Sequence, residues 1–168
     1  MSEQTPNPDA TLALYADGPG RLEAVLNGIT ESDLGLARTA DSWTIRQNVH
    51  HVVDGDDIWK TCIKAALGNE EGLFDLQWYW DKPQMEWAEN WGYAIRPVET
   101  SLALFRANRQ HIIELVQQTP NAWGKSMRIK TPRDEETCIT VGDVLEMQAP
   151  HVITHVTDIQ MILREHNR

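Results

Sequence analysis

Apolar residues recur every three or four positions in four separate stretches, and this periodicity restricts the chain to a bundle of α-helices. In the first, Leu12, Tyr15, Pro19, Leu22, Leu26 and Ile29 form one stripe. Gly18-Pro19-Gly20 interrupts it chemically, but the phase continues across the break, which predicts one kinked helix. The second follows "SWT": Ile45, Val49, Val52, Trp59, Ile63 and Ala66 share a face until Gly68. The third starts near Pro97, a good first-turn residue, and carries Leu102, Phe105, Ile112 and Val116 before Pro120. The fourth begins at Thr140 and runs almost to the C-terminus. Thr44 with Gln47, and Thr140 with Asp143, have the spacing of reciprocal capping boxes; "TESD" at 30–33 has the same form and predicts a short helical turn.

The expected architecture is all-α, a four-helix bundle in one domain over residues 1–168, long enough to bury a core without disulfides. Two connections are long. Residues 69–96 hold Trp78, Trp80, Trp87 and Trp91 with Tyr79 and Tyr93, a composition that predicts packing over the bundle between helices two and three. Residues 119–139 contain "SMRIK" and "TCIT", whose alternation predicts a small hairpin between helices three and four.

Charge removes one class of function. The formal net charge of −10 opposes binding to phosphate backbones, and the only basic cluster, "GKSMRIKTPR", runs directly into Asp134, Glu135 and Glu136. Nucleic acid is not an expected partner. No window is apolar enough to span a membrane, and "MSEQTPNPDA" has neither the basic nor the apolar region of a secretory signal, so a cytoplasmic protein is expected. Cys62 and Cys138 lie in no redox or zinc spacing and are read as free thiols.

The chemistry concentrates in the fourth helix. Val144, Gln148, His151, His155, Ile159 and Ile162 form one stripe, so both histidines of "HVITH" face the bundle interior. At i and i+4 their rings can reach one metal ion, and they can equally be two satisfied core histidines. Pro150 bends the helix just before the first of them. A further ligand must come from another helix. In "HH" at 50–51, the apolar side of the second helix lies nearer His51 and almost opposite His50, which makes His51 the better candidate. His111 flanks the apolar stripe of the third helix and His166 is near the terminus. Three imidazoles from two helices would leave a coordination position open, as catalytic zinc sites do. Asp54 and Asp158, each three residues after a candidate ligand, are the candidate catalytic carboxylates; each could orient a ring, act as a base, or be solvated. The glutamate of a metalloprotease HExxH helix is absent.

The same segments resemble the DinB-like superfamily, in particular the metal enzymes around the bacillithiol transferases. "YADGPGRLEAVLNGITESDL" looks like that family's first helix. "SWTIRQNVHHVVDGDDIW" is similar to its Trp-Ser/Thr-Ile-Arg-Glu/Gln motif with a histidine eight residues after the Trp, which falls on His51. "NWGYAIRPVETSLALFRANRQHIIELV" is similar to its third-helix region. "TVGDVLEMQAPHVITHVTDIQMIL" looks like its closing helix, whose two histidines fall on His151 and His155. The resemblance implies a metal triad of His51, His151 and His155 holding a divalent ion, Zn or Ni, in a bundle that often forms a homodimer. Asp158 departs from the glutamine that many relatives carry there.

The leading expectation is therefore an S-transferase that joins a low-molecular-weight thiol to a small electrophile. A metal-dependent hydrolase using metal-bound water, or a bundle that binds metal or a small ligand without turnover, are the alternatives.

Overall fold

The computed structural model describes residues 7–168, so most of the polar N-terminal stretch in which no signal is read lies outside the described residues. The four long helices form where the periodicity places them: α1 (Pro8–Val25), α2 (Ile45–Gly68), α5 (Val98–Gln118) and α6 (Val141–Glu165). Both expected capping boxes are made. The Thr44 side chain accepts from the Gln47 N–H while the Gln47 side chain accepts from the Thr44 N–H, and Thr140 and Asp143 do the same at the start of α6. Each satisfies two backbone donors that a helix start leaves unpaired. Thr30 and Asp33 make the same reciprocal pair ahead of a short 3-10 turn at Asp33–Gly35.

The Trp-rich connection folds into strand β1 (Leu73–Phe74) and two short helices, α3 (Gln77–Trp80) and α4 (Gln84–Asn90). Tyr79 stacks on Trp87 and on Trp91, whose rings are tilted at 42° to each other, and the three pack over α2 around Ile58 and Trp59. The expected hairpin is present as β2 (Ser126–Lys130) and β3 (Glu136–Thr140), in antiparallel register from Ser126 opposite Thr140 to Lys130 opposite Glu136. Residues of β1 pair parallel to β2, making a three-stranded sheet that the sequence did not announce. Cys62 and Cys138 are both free thiols. No helix among the described residues is long and apolar enough to cross a membrane.

The order of packing determines where the site lies. α1 packs on α5 and α6, and α2 also packs on α5 and α6, so the successive pairs α1/α2 and α5/α6 occupy diagonals of the bundle. The long connections make this possible, and the result brings α2 and α6, far apart in the chain, into direct contact.

The core is divided along the bundle axis. One apolar cluster holds Cys62, Ile63, Ile112, Val116, Val144 and Leu145; the other holds Val49, Val52, Phe105, Val152, Val156 and Ile159. Between them lies a polar layer. Arg109 and Asp56 are almost wholly buried and joined Nε to Oδ1 at 3.0 Å. Arg109 also donates to the carbonyls of Tyr15 and Gln148, each at 2.8 Å, and its guanidinium lies 4.1 Å from the Tyr15 ring centroid and 4.4 Å from that of Phe105. All of its charge-bearing face is thereby matched by acceptors or π-faces, as a buried cation requires. Gly18 is part of this arrangement: a Cβ there would stand 2.2 Å from Arg109 Nη1.

Candidate metal centre

His51 on α2 and His151 and His155 on α6 converge at the contact between the two helices, beside the polar layer. One ring nitrogen from each can be chosen so that all lie within 4.8 Å of one another. The ring centroids are 4.7–5.2 Å apart, and each pair is steeply inclined, at 62–85°. Nε2 of His155 and Nε2 of His151 are 3.2 Å apart. Two imidazole nitrogens sharing a tetrahedral ion at 2.0–2.1 Å would stand about 3.3 Å apart, so the α6 pair has the spacing such an ion needs.

The tautomer of His155 follows from its other nitrogen. Nδ1 lies 2.8 Å from Asn48 Oδ1, and the Asn48 amide is oriented by its own Nδ2, which donates to the Thr44 carbonyl at 2.9 Å. Nδ1 therefore carries the proton, and the lone pair of a neutral ring is at Nε2, facing His151. The chain of contacts runs from the cap of α2 to the histidine pair of α6. Sequence periodicity gave no reason to single out Asn48, although it lies three residues before His51 on the same helix and was the signal available.

Burial keeps all three rings neutral. It holds His51 down to about 3, with the facing His155 and His151 adding to the effect, and His151 to about 4, with His155 and Arg109 adding; burial alone takes His155 to about 4. A metal ligand must be the unprotonated imidazole, and this donor set supplies three. The residues present fit a divalent cation.

A pH dependence follows. The unfolded chain protonates these rings near 6.5 and the folded chain only near 3–4, so the unfolded state binds more protons between those values. The stability they contribute is complete above 6.5 and is lost as pH falls through 4. In metal-free protein the unfolding free energy should drop on acidification by up to about 1.4 kcal/mol per pH unit for each histidine. Urea titrations from pH 7 to pH 4.5 measure the slope, and a triple His51, His151 and His155 alanine variant with an undiminished slope would refute the assignment.

The other sequence candidates separate clearly. His50, whose direction lay almost opposite the apolar side of α2, is fully buried: α2 contacts both α5 and α6, and polar residues occupy much of its buried surface. Its Nε2 lies 3.0 Å from the Arg96 carbonyl and its Nδ1 2.9 Å from Ser101 Oγ. Because a carbonyl only accepts, Nε2 is the donor and Nδ1 accepts from the serine, which leaves no lone pair for an ion. His111 and His166 are exposed and stand outside the three-histidine cluster, His166 Nε2 contacting the Ala37 carbonyl. Asp54 pairs with Arg96 at 3.1 Å, and Asp158 Oδ2 stands 4.0 Å from His155 Nδ1. Pro150 lies on the exposed face of α6, which continues through it.

Among the tryptophans, Trp43 meets the triad. Its ring is edge-on to His51 at 4.3 Å and stacked on His155 at 6.1 Å, and its indole N–H points to Met85 Sδ on α4. A cavity of about 260 Å³ lies beside it, lined by Arg38, Asn48, His155 and Asp158.

The chain is similar to proteins of known sequence or structure. OB0782 of Oceanobacillus iheyensis, provisionally named a metal-dependent hydrolase, is 24% identical over 149 residues, covering 85% of this chain and 80% of that protein. YfiT from Bacillus subtilis, described as a probable metal-dependent hydrolase with an unusual four-helix bundle topology, matches 99% of this chain with 95% of its own, at a TM-score of 0.78 and 21% identity. Residues 14–159, which take in the triad, all of α2 and α5 and most of α1 and α6, match the DinB superfamily, and the chain belongs to it.

Proposed function

We propose that this chain is a metal-dependent hydrolase of a small-molecule substrate, with His51, His151 and His155 as ligands of a Zn or Ni ion. The observation that carries the reading is the convergence of three buried, neutral imidazoles from two helices, two of them with Nε2 atoms 3.2 Å apart. A three-histidine set leaves room for water, and a divalent ion held this way supplies a water that can be deprotonated near neutral pH. The names of OB0782 and YfiT point to the same reaction class. Hydrolysis therefore leads over the thiol transfer expected from the sequence resemblance, for which neither the site nor these relatives supplies a specific observation.

The protein groups divide the work. Asn48 holds His155 by Nδ1, and Trp43 with Met85 behind it closes one side of the triad from water. Of the two candidate carboxylates, Asp158 is the one beside a ligand ring and is assigned a role in orienting His155 or receiving a proton. Asp54 is assigned to anchoring Arg96, whose carbonyl in turn binds His50 and Arg46. A homodimer remains part of the proposal, checked by light scattering.

The test is a panel of esters and amides with untagged protein, with and without a chelator and with and without a low-molecular-weight thiol. The expected result is acid release that the chelator abolishes, Zn or Ni restores, and the thiol leaves unchanged. Thiol consumption without acid release would replace hydrolase by transferase. Silence in both assays from metal-loaded protein would leave a binding bundle.

A further inference from the structure

Two of the buried side-chain atoms that lack a hydrogen-bond partner belong to neighbours on α6: Oε1 of Gln148 and Nδ1 of His151. One is an acceptor without a donor. The other is a ring nitrogen whose role depends on what its opposite nitrogen does. Residues three apart on a helix share a face, with Cβ atoms about 5–6 Å apart, within reach of each other directly or through one buried water. Orphaned polar groups in a buried layer are costly, and two complementary ones on one helix face indicate a contact that the loaded site completes.

His151 Nε2 faces His155 Nε2, so an ion between them takes the lone pair of His151 at Nε2 and leaves the proton on Nδ1. That N–H then needs an acceptor. We propose that Gln148 is the positioning residue of His151, its side-chain oxygen accepting from Nδ1–H, directly or through one water, when the triad is occupied. The inference rests on the metal reading given above. It makes the two α6 ligands alike: Asn48 fixes the ring of His155 by its Nδ1, and Gln148 fixes that of His151 by the corresponding atom. Gln148 is well placed for the task. It is 4% exposed, and its own carbonyl is held by Arg109 Nη2 at 2.8 Å, which ties its backbone to the polar layer. An amide supplies the acceptor without adding a charge to a layer that already buries Asp56 and Arg109.

The experiment compares wild type, Gln148→Leu and Gln148→Glu. Leucine approximates the size and removes the acceptor; glutamate retains it. Zinc affinity is measured by competition with a chromogenic chelator, and stability by urea unfolding of the metal-free proteins. The histidine tautomers of the zinc-loaded proteins are read from long-range proton–nitrogen NMR correlations. Gln148→Leu should weaken zinc binding by about 10–100-fold, the usual cost of an outer-shell partner, and Gln148→Glu should keep it near wild type. In loaded wild type the His151 Nδ1 proton should be present and protected from exchange, and in loaded Gln148→Leu it should exchange faster. Zinc binding by Gln148→Leu as tight as wild type overturns the inference. So does an equal loss in both variants that tracks their metal-free stability, since that is packing alone. Wild type that takes up no ion overturns the metal reading itself, which separates the two failures.

Discussion

Replacing His151 by alanine should abolish stoichiometric metal uptake while leaving the bundle folded. In the proposed site the ring would contribute one of three ligand nitrogens, and its Nε2 lies 3.2 Å from Nε2 of His155. Losing it leaves two imidazoles, and the affinity should fall by more than the 10–100-fold that removal of an outer-shell partner costs. His155→Ala and His51→Ala should do the same. His50→Ala should not, because both nitrogens of that ring are committed to Ser101 and Arg96; its cost should appear in stability instead. Elemental analysis of untagged protein, purified without added metal and again after loading, measures the difference. Equal metal content in wild type and all three ligand variants would refute the triad. The fold should survive each replacement, since the rings lie at the edge of the polar layer and the two apolar clusters stay intact.

The second large effect concerns stability. Arg109→Met should destabilise the metal-free protein by about 3–5 kcal/mol, because it strands the buried Asp56 carboxylate without its cation. For a chain of this size that is a fall in Tm of roughly 6–20 °C. The same change removes the donors to the Tyr15 and Gln148 carbonyls and the cation over the Tyr15 and Phe105 rings. The double variant Arg109→Met, Asp56→Leu should recover much of the loss, since a buried ion pair replaced as a unit by apolar residues is commonly neutral or stabilising. Urea unfolding of the metal-free proteins gives both numbers, and metal must be absent because an ion bound to the folded state adds its own stabilisation. A cost below about 1 kcal/mol for the single variant would mean that Asp56 finds water or another donor, contrary to its complete burial.

Much of the site was legible because its parts are local. A capping box needs two residues three apart, so Thr44 with Gln47 and Thr140 with Asp143 could be read directly and fix where α2 and α6 begin. The shared face of His151 and His155 follows from helical pitch alone. His51 over His50 was favoured by the apolar direction of α2 and by its distance from Trp43, and it is His51 that meets the α6 pair. The burial of His50 was not legible in the same way. A direction averaged over apolar residues describes a helix with one buried side, whereas α2 lies against both α5 and α6 and buries Arg46, Asn48, His50 and Asp56 as well.

The long helices, their starts, the hairpin and the faces on which the histidines stand can be read along the chain, because each depends on neighbours within a turn or two. Which faces meet is a property of the packed bundle. The diagonal order of successive helices sets α2 against both α6 and α5; from the first contact comes His155 with Asn48, 107 residues apart, and from the second Asp56 with Arg109, 53 apart. Partners at such separations leave no periodic trace, since their distance is set by how whole helices pack and not by the pitch of any one of them. The same holds for the orphaned oxygen of Gln148: its place on the stripe was readable, but its lack of a partner exists only once the bundle has closed around it.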